Sequence, residues 1–157
     1  MMSDYLYKKE TDGILAAFYE VYNTLGYGFL EAVYEEALGI ELGSRGIPFQ
    51  TQKPLSIYYD GEKLKKNYFA DVVCYDKIIL ELKIKHEIDG HDRTQIVNYL
   101  KATGCEVGLV INFGNPRYLE WKKYVFTNKK YLKSQSGYSS NNLTENEAEY
   151  NNTADIM

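Results

Sequence analysis

Asp71, Glu81 and Lys83 are the residues of this chain whose types and spacing point to chemistry. Two carboxylates and an amine gathered at one place can bind a cation, polarise a phosphate or move a proton. The stretch from Tyr68 to Lys85 reads as a β-hairpin that brings them together. From Ile78 to Lys85 the side chains alternate, with Ile78, Leu80, Leu82 and Ile84 on one face and Ile79, Glu81, Lys83 and Lys85 on the other. On the preceding strand Phe69, Asp71 and Val73 share one face, and Tyr68, Ala70, Val72 and Cys74 share the other. Residues paired across an antiparallel ladder point to the same side of the sheet, so the turn decides where Asp71 goes. A two-residue loop at Asp76-Lys77 would set Asp71 against Leu82 on the apolar face, a buried carboxylate without a partner. A three-residue loop, Tyr75 to Lys77 or Asp76 to Ile78, places Asp71 beside Glu81 and Lys83. The odd-length loop, or an equivalent bulge, is therefore expected.

The elements that must hold this hairpin are legible around it. Thr11-Asp12-Gly13 introduces Ile14, Leu15, Phe18, Val21, Tyr22 and Leu25, spaced as a helical stripe. Leu25-Gly26-Tyr27-Gly28 interrupts it. A second helix is expected from about Phe29 to Ser44, with Leu30, Val33, Tyr34, Ala37, Leu38 and Leu42 inward and Arg45-Gly46 as its stop. Phe49 to Tyr59 is extended chain with Pro54 at an edge or irregular position, and Asp60-Gly61 is a two-residue hairpin turn. Lys63 to Tyr75 returns and Ile78 to Lys85 follows, giving a three-stranded meander. Asp89 caps a helix over Gly90 to Thr103, ended by Gly104. Val107 to Ile111 is wholly apolar and β-branched, as for a strand buried on both faces, and a right-handed βαβ crossover makes it parallel to Ile78 to Lys85. Tyr118 to Phe126 is either a helix or an edge strand.

Composition bounds the rest. A chain of 157 residues supports one domain with a real core, expected over residues 1–133. Residues 134–157 contain Glu145, Glu147, Glu149 and Asp155 with no lysine or arginine and almost no apolar side chains, so they read as a disordered acidic tail. The net charge of −4 comes from this tail. Setting those four aside from the 22 acidic residues leaves 18 against 18 basic ones, so the folded part is formally neutral. Lys63, Lys65 and Lys66 form one small basic group, and Lys122, Lys123, Lys129, Lys130 and Lys133 another. Solvated surface lysines explain these groups as well as nucleic acid does. Cys74 and Cys105 make neither a disulfide framework nor a zinc set and are expected as buried thiols. His86 and His91 have no zinc spacing and are expected at the surface. With no 18-residue apolar run and no basic, apolar leader, a soluble cytoplasmic protein without membrane contact is expected. The sequons at Asn142 and Asn151 carry no weight in that setting.

Gly28-Phe-Leu-Glu31-Ala-Val-Tyr34 matches a GxxExxY signature, and Asp71, Glu81-Leu82-Lys83 and Gln95-Ile-Val-Asn-Tyr99-Leu-Lys-Ala-Thr-Gly104 follow in order. Over about Ile14 to Phe126 the chain resembles the GxxExxY proteins, assigned to the PD-(D/E)XK nuclease-like superfamily. The resemblance implies an α/β restriction-endonuclease-like core, a central mixed sheet of antiparallel meander and parallel βαβ strand flanked by helices. This agrees with the elements read above. It also implies a Mg²⁺- or Mn²⁺-dependent nuclease that attacks DNA or RNA with metal-activated water. Asp71, Glu81 and the Leu82 carbonyl would be oxygen ligands, and Glu31 would complete or hydrogen-bond the shell. Lys83 would orient the attacking water or stabilise charge on the phosphate. Gln95 and Tyr99, at i and i+4 on one helical face, would orient Lys83 or touch a phosphate. The proline that names the superfamily is absent, since Ala70 precedes Asp71. Each residue also has a plainer role: Glu81 and Lys83 as a solvated strand face, Glu31 as a helix-surface acid, Tyr34 as a core aromatic. The alternative to catalysis is a nuclease-fold module that binds nucleic acid or a regulatory partner without hydrolysis, with a homodimer admitted in either case.

Overall fold

A computed structural model describes residues 6–127 and the backbone of residues 146–151. Two helices, α1 (Lys8–Leu25) and α2 (Glu31–Ser44), precede the strands β1 (Phe49–Tyr59), β2 (Glu62–Cys74) and β3 (Ile78–Lys83). Helix α3 (Gly90–Thr103) follows, and then β4 (Val107–Asn112), β5 (Glu120–Thr127) and β6 (Asn146–Asn151). The strands form one six-stranded sheet in sequence order. All neighbours are antiparallel except β3 and β4, which run parallel on either side of the α3 crossover. This is the mixed sheet flanked by helices that the sequence leads one to expect.

The alternation of β3 divides its side chains between two cores. Ile78, Leu80 and Leu82 join Ile14, Phe18, Tyr34, Leu38 and Leu42 beneath α1 and α2. Ile79 joins Ile96, Val97 and Leu100 beneath α3, so Glu81 and Lys83, at the same parity, face the α3 side. Strand β4 is buried along its whole length, as its apolar sequence requires. Gly108 is where it passes closest to α3, because a Cβ there would sit 2.6 Å from Ile96 Cγ1. Cys74 is buried and Cys105 partly so, both as free thiols; His86 and His91 are exposed.

Several expectations are corrected. Leu30 and Val33 are 80% and 39% exposed instead of inward, because α2 buries the single stripe Tyr34, Leu38 and Leu42, and Leu30 is the extended N-cap before that stripe while Val33 lies beside it. Ile84 is likewise exposed, since β3 ends at Lys83 and the alternation stops there. Of the two options for Tyr118 to Phe126 the strand is the one formed, and β6 pairs against it from Thr127↔Asn146 to Lys122↔Asn151. Those six residues lie inside the stretch expected to be a disordered tail; a ladder needs only backbone N–H and C=O groups, which the outer side of β5 presents, so lack of apolar residues does not forbid it. The remainder of residues 134–157 lies outside the described residues.

Candidate active site

The turn between β2 and β3 comes first, because it sets which side chains meet. Cys74 pairs with Ile78, Val73 with Ile79 and Val72 with Leu80, so Tyr75, Asp76 and Lys77 form a three-residue loop. Its closing bond runs from Lys77 N–H to the Cys74 carbonyl at 3.1 Å, with Tyr75 and Asp76 both at positive φ. The odd loop continues the register to Asp71 opposite Glu81, the pairing that the cost of a buried carboxylate demands.

At that position the ladder changes character. Asp71 N–H donates to Glu81 Oε1 at 3.3 Å, and Leu82 N–H donates to Asp71 Oδ2 at 2.9 Å. Side-chain carboxylates thus accept what backbone carbonyls would otherwise take. Strand β2 is also irregular here. Ala70 and Val73, three residues apart, both pack under α3, whereas Val72 and Cys74 pack under α1 and α2. A regular strand of period two cannot do this, so Tyr68 and Ala70 do not share a face with Val72 and Cys74 as the alternation implied. On the β1 side the register to β2 omits Gln52 opposite Asp71, and Gln52 adopts φ 50°. Its amide instead donates to the Glu35 carboxylate of α2 at 3.2 Å. The distortion coincides with the carboxylates, as bulges beside active sites commonly do.

Electrostatics mark the pair strongly. Glu81 is 4% exposed, and burial, then the adjoining Asp71 charge, push its carboxyl up to about 9. The two carboxyls are close enough to hydrogen-bond when one carries a proton. Glu31, exposed on the first turn of α2, is raised by partial desolvation and then by Asp71, while Lys83 opposes the shift. The three acids therefore face one region. Among the described residues, however, no three His, Cys, Asp or Glu side chains are gathered closely enough to hold an ion together. The structure brings Asp71 and Glu81 together through the Asp71 N–H to Glu81 Oε1 bond and leaves Glu31 at the rim, near enough to feel the Asp71 charge. The Leu82 peptide is fixed through its N–H on Asp71.

Lys83 lies on the α3 side and is pinned from there. Its Nζ donates to Gln95 Oε1 at 2.7 Å, and Gln95 Nε2 donates to the Tyr99 hydroxyl at 3.1 Å. Gln95 and Tyr99 thus act as one relay along a helical face, as their i, i+4 spacing permits. Tyr99 is itself raised by burial and then by the Glu81 charge. Asp92, buried at the start of α3, was not singled out in the sequence. Its carboxylate accepts from Lys85 Nζ at 2.9 Å, approaches Lys83 Nζ at 4.0 Å and closes the capping box with Asp89. The Asp89-x-x-Asp92 spacing is the signal that could have found it. Just past Lys83 the chain is clamped by Asn112, whose side chain accepts from Lys85 N–H at 3.0 Å and donates to the Lys85 carbonyl at 2.8 Å. Gly114 allows that approach, since a Cβ there would meet the Lys85 nitrogen at 2.4 Å.

Gly28, Glu31 and Tyr34 form the other wall. Gly28 has φ 112°, open only to glycine. The Tyr34 hydroxyl donates to the Gly26 carbonyl at 2.6 Å and accepts from Phe29 N–H at 3.3 Å, while its ring stacks on Phe113 with centroids 4.2 Å apart. The tyrosine thereby ties down the turn from which Glu31 starts the helix. Tyr34→Phe keeps the stack and strands two backbone groups; a loss of about 1–2 kcal/mol in urea unfolding is expected.

A mixed sheet with two helices on one face and a crossover helix on the other, carrying an acid pair and a pinned lysine at an irregular strand pair, defines a nuclease-type α/β domain. Residues 8–124 match the family model for the PD-(D/E)XK nuclease superfamily, and the chain belongs to that superfamily. Among solved structures SSO0001 is similar at 19% identity and a TM-score of 0.46, over 74% of this chain and 58% of that one. The chain thus spans little more than half of that protein's length. No curated protein matches. No helix among the described residues is long and apolar enough to cross a membrane.

Proposed function

We propose that the protein hydrolyses phosphodiester bonds of DNA or RNA at the Asp71–Glu81–Lys83 site, using a divalent cation. The observation that carries this reading is the crossed acid pair: Glu81 Oε1 accepts from Asp71 N–H at 3.3 Å and Asp71 Oδ2 accepts from Leu82 N–H at 2.9 Å, in a setting where burial and then Asp71 push the Glu81 carboxyl up to about 9. Such a pair offers hard oxygen donors and, once Glu81 gives up its proton, two adjacent negative charges, which fits Mg²⁺ or Mn²⁺. Asp71 and Glu81 would hold the ion, with the Leu82 carbonyl and Glu31 contributing at its outer side. When bound, the cation neutralises phosphate charge and makes water more acidic.

The chain's own groups do the remaining work. Lys83, fixed by Gln95 and Tyr99, presents its ammonium on the face that carries Glu81 and stabilises charge developing on the phosphate oxygens. Glu31 at the rim accepts a hydrogen bond from water or a leaving hydroxyl. On the resemblance carried by Gly28, Glu31 and Tyr34, we place the chain with the GxxExxY proteins inside the superfamily. Two free thiols suit a cytoplasmic location.

The formally neutral folded part favours a second reading, a nuclease-fold module that binds without cutting, since sequence-independent nucleic-acid binders usually carry a stronger basic footprint. One experiment separates the two. Labelled single- and double-stranded DNA and RNA are incubated with protein and Mg²⁺ or Mn²⁺, beside Asp71→Asn. Cleavage by wild type that is abolished in the variant is expected; substrates left intact in every form would leave the binding module.

A further inference from the structure

The β1–β2 hairpin extends well past the body of the domain. Every residue from Tyr58 to Phe69 is exposed, so both faces of this ribbon stand in water. Yet it carries Tyr58 at 62%, Tyr59 at 73%, Leu64 at 40%, Tyr68 at 41% and Phe69 at 54% exposure. Lys63, Lys65 and Lys66 are interleaved with them, and among the described residues none of the three makes an ion pair. Tyr58 pairs with Lys63 across the ladder, so a ring and an ammonium sit side by side near the tip. At its base the ribbon reaches the site: the Tyr68 ring lies 5.3 Å from that of Tyr99, tilted by 49°. Both border a pocket of about 240 Å³ with His91, Thr94, Gln95 and Asn98. Gln95 is the residue that holds Lys83.

We propose that this hairpin is a stacking arm for single-stranded nucleic acid, which leads the strand past Tyr59 and Tyr68, rings on the same face of the ribbon, into the pocket beside Lys83, with Tyr58 and Lys63 offering a second contact on the reverse face at the tip. Exposed rings alternating with free ammonium groups match the two chemistries of an unpaired strand. Bases stack on the rings and phosphates meet the lysines. A duplex keeps its base faces against each other and offers the rings nothing comparable. From Lys63 to Phe69 the strand is about 20 Å long, enough to contact several successive nucleotides. The inference rests on the hydrolytic reading only for the strand's destination; binding itself needs no turnover.

The test is fluorescence anisotropy in EDTA with labelled dT20, rU20 and a dA20·dT20 duplex, on wild type, Tyr58→Ala/Tyr59→Ala and Tyr58→Phe/Tyr59→Phe, each checked for fold by circular dichroism. Wild type is expected to bind the single strands at least tenfold more tightly than the duplex. The alanine pair should lose about tenfold or more on single strands, and the phenylalanine pair should regain it. Duplex binding as tight as single-strand binding, or an alanine pair that binds dT20 like wild type, overturns the arm. Repeating dT20 with Mg²⁺ or Mn²⁺ separates the two ideas. Arm-dependent binding without cleavage upholds the arm and removes hydrolysis, whereas cleavage unaffected in the alanine pair removes the arm alone.

Discussion

Lys83→Met is expected to lower nucleic-acid cleavage by about 10²- to 10³-fold while leaving the folded protein nearly as stable as wild type. The size follows from the role proposed for the ammonium. It is the cationic donor on the Glu81 face of β3, held 2.7 Å from Gln95 Oε1, and a preorganised donor aimed at developing phosphate charge has an effect of that order. The small stability effect follows from its setting. The Lys83 side chain is 24% exposed, its ion pair to Asp92 is long at 4.0 Å, and Asp92 keeps Lys85 at 2.9 Å when Lys83 is gone. Gln95 retains Tyr99. Single-turnover cleavage and thermal melting of the same preparation measure both halves. A variant that cuts like wild type removes Lys83 from the mechanism, and one that fails to fold would make the lysine structural. Lys83→Arg should not rescue, because a guanidinium cannot occupy the same place beside Gln95.

The hairpin turn was legible because physical cost settled it. An even loop buries Asp71 against Leu82, an odd one seats it beside Glu81, and the sequence carries enough alternation to tell them apart. The β3–α3–β4 unit was legible for a similar reason, since Asp89, Gly104 and the apolar run after Glu106 each mark a boundary by their own chemistry. What the pattern hid is local. The irregularity at Asp71 rests on Gln52 at positive φ across the ladder, and glutamine at that position leaves no sequence mark as glycine would. Leu30 and Val33 widen a helical stripe that is real, but the pattern does not say that burial narrows to Tyr34, Leu38 and Leu42. Asp92 leaves no distinctive mark, because a capping acid and a site acid look alike in sequence and Lys83 and Lys85 converge on it only in the fold. Glu31 is expected as a shell member; it feels the Asp71 charge, yet among the described residues three carboxylates are not gathered around one point.

Glu81→Gln is expected to raise the melting temperature of the metal-free protein at neutral and alkaline pH, and to abolish its response to Mg²⁺. The folded value of about 9 lies above the ordinary 4.5, chiefly through burial and then through Asp71. Below pH 4.5 both folded and unfolded chains hold the proton, and the full stability is present. As pH rises from there, the unfolded chain ionises while the fold keeps its proton. Wild type therefore loses up to about 1.4 kcal/mol per pH unit until the folded value is passed, where the loss levels off. Glutamine cannot ionise, so its advantage should widen over that window and be absent below it. Asp71→Asn should recover only part of the difference, because burial, the larger cause, remains. Since proton and cation compete for the Glu81 carboxylate, ion uptake at pH 7 should expel close to one proton. Calorimetry in buffers of different ionisation enthalpy counts it directly. Wild-type melting curves that ignore both pH across this window and added Mg²⁺ would show that Glu81 neither holds a proton at neutral pH nor receives an ion, and the hydrolytic site would lose its chemical basis.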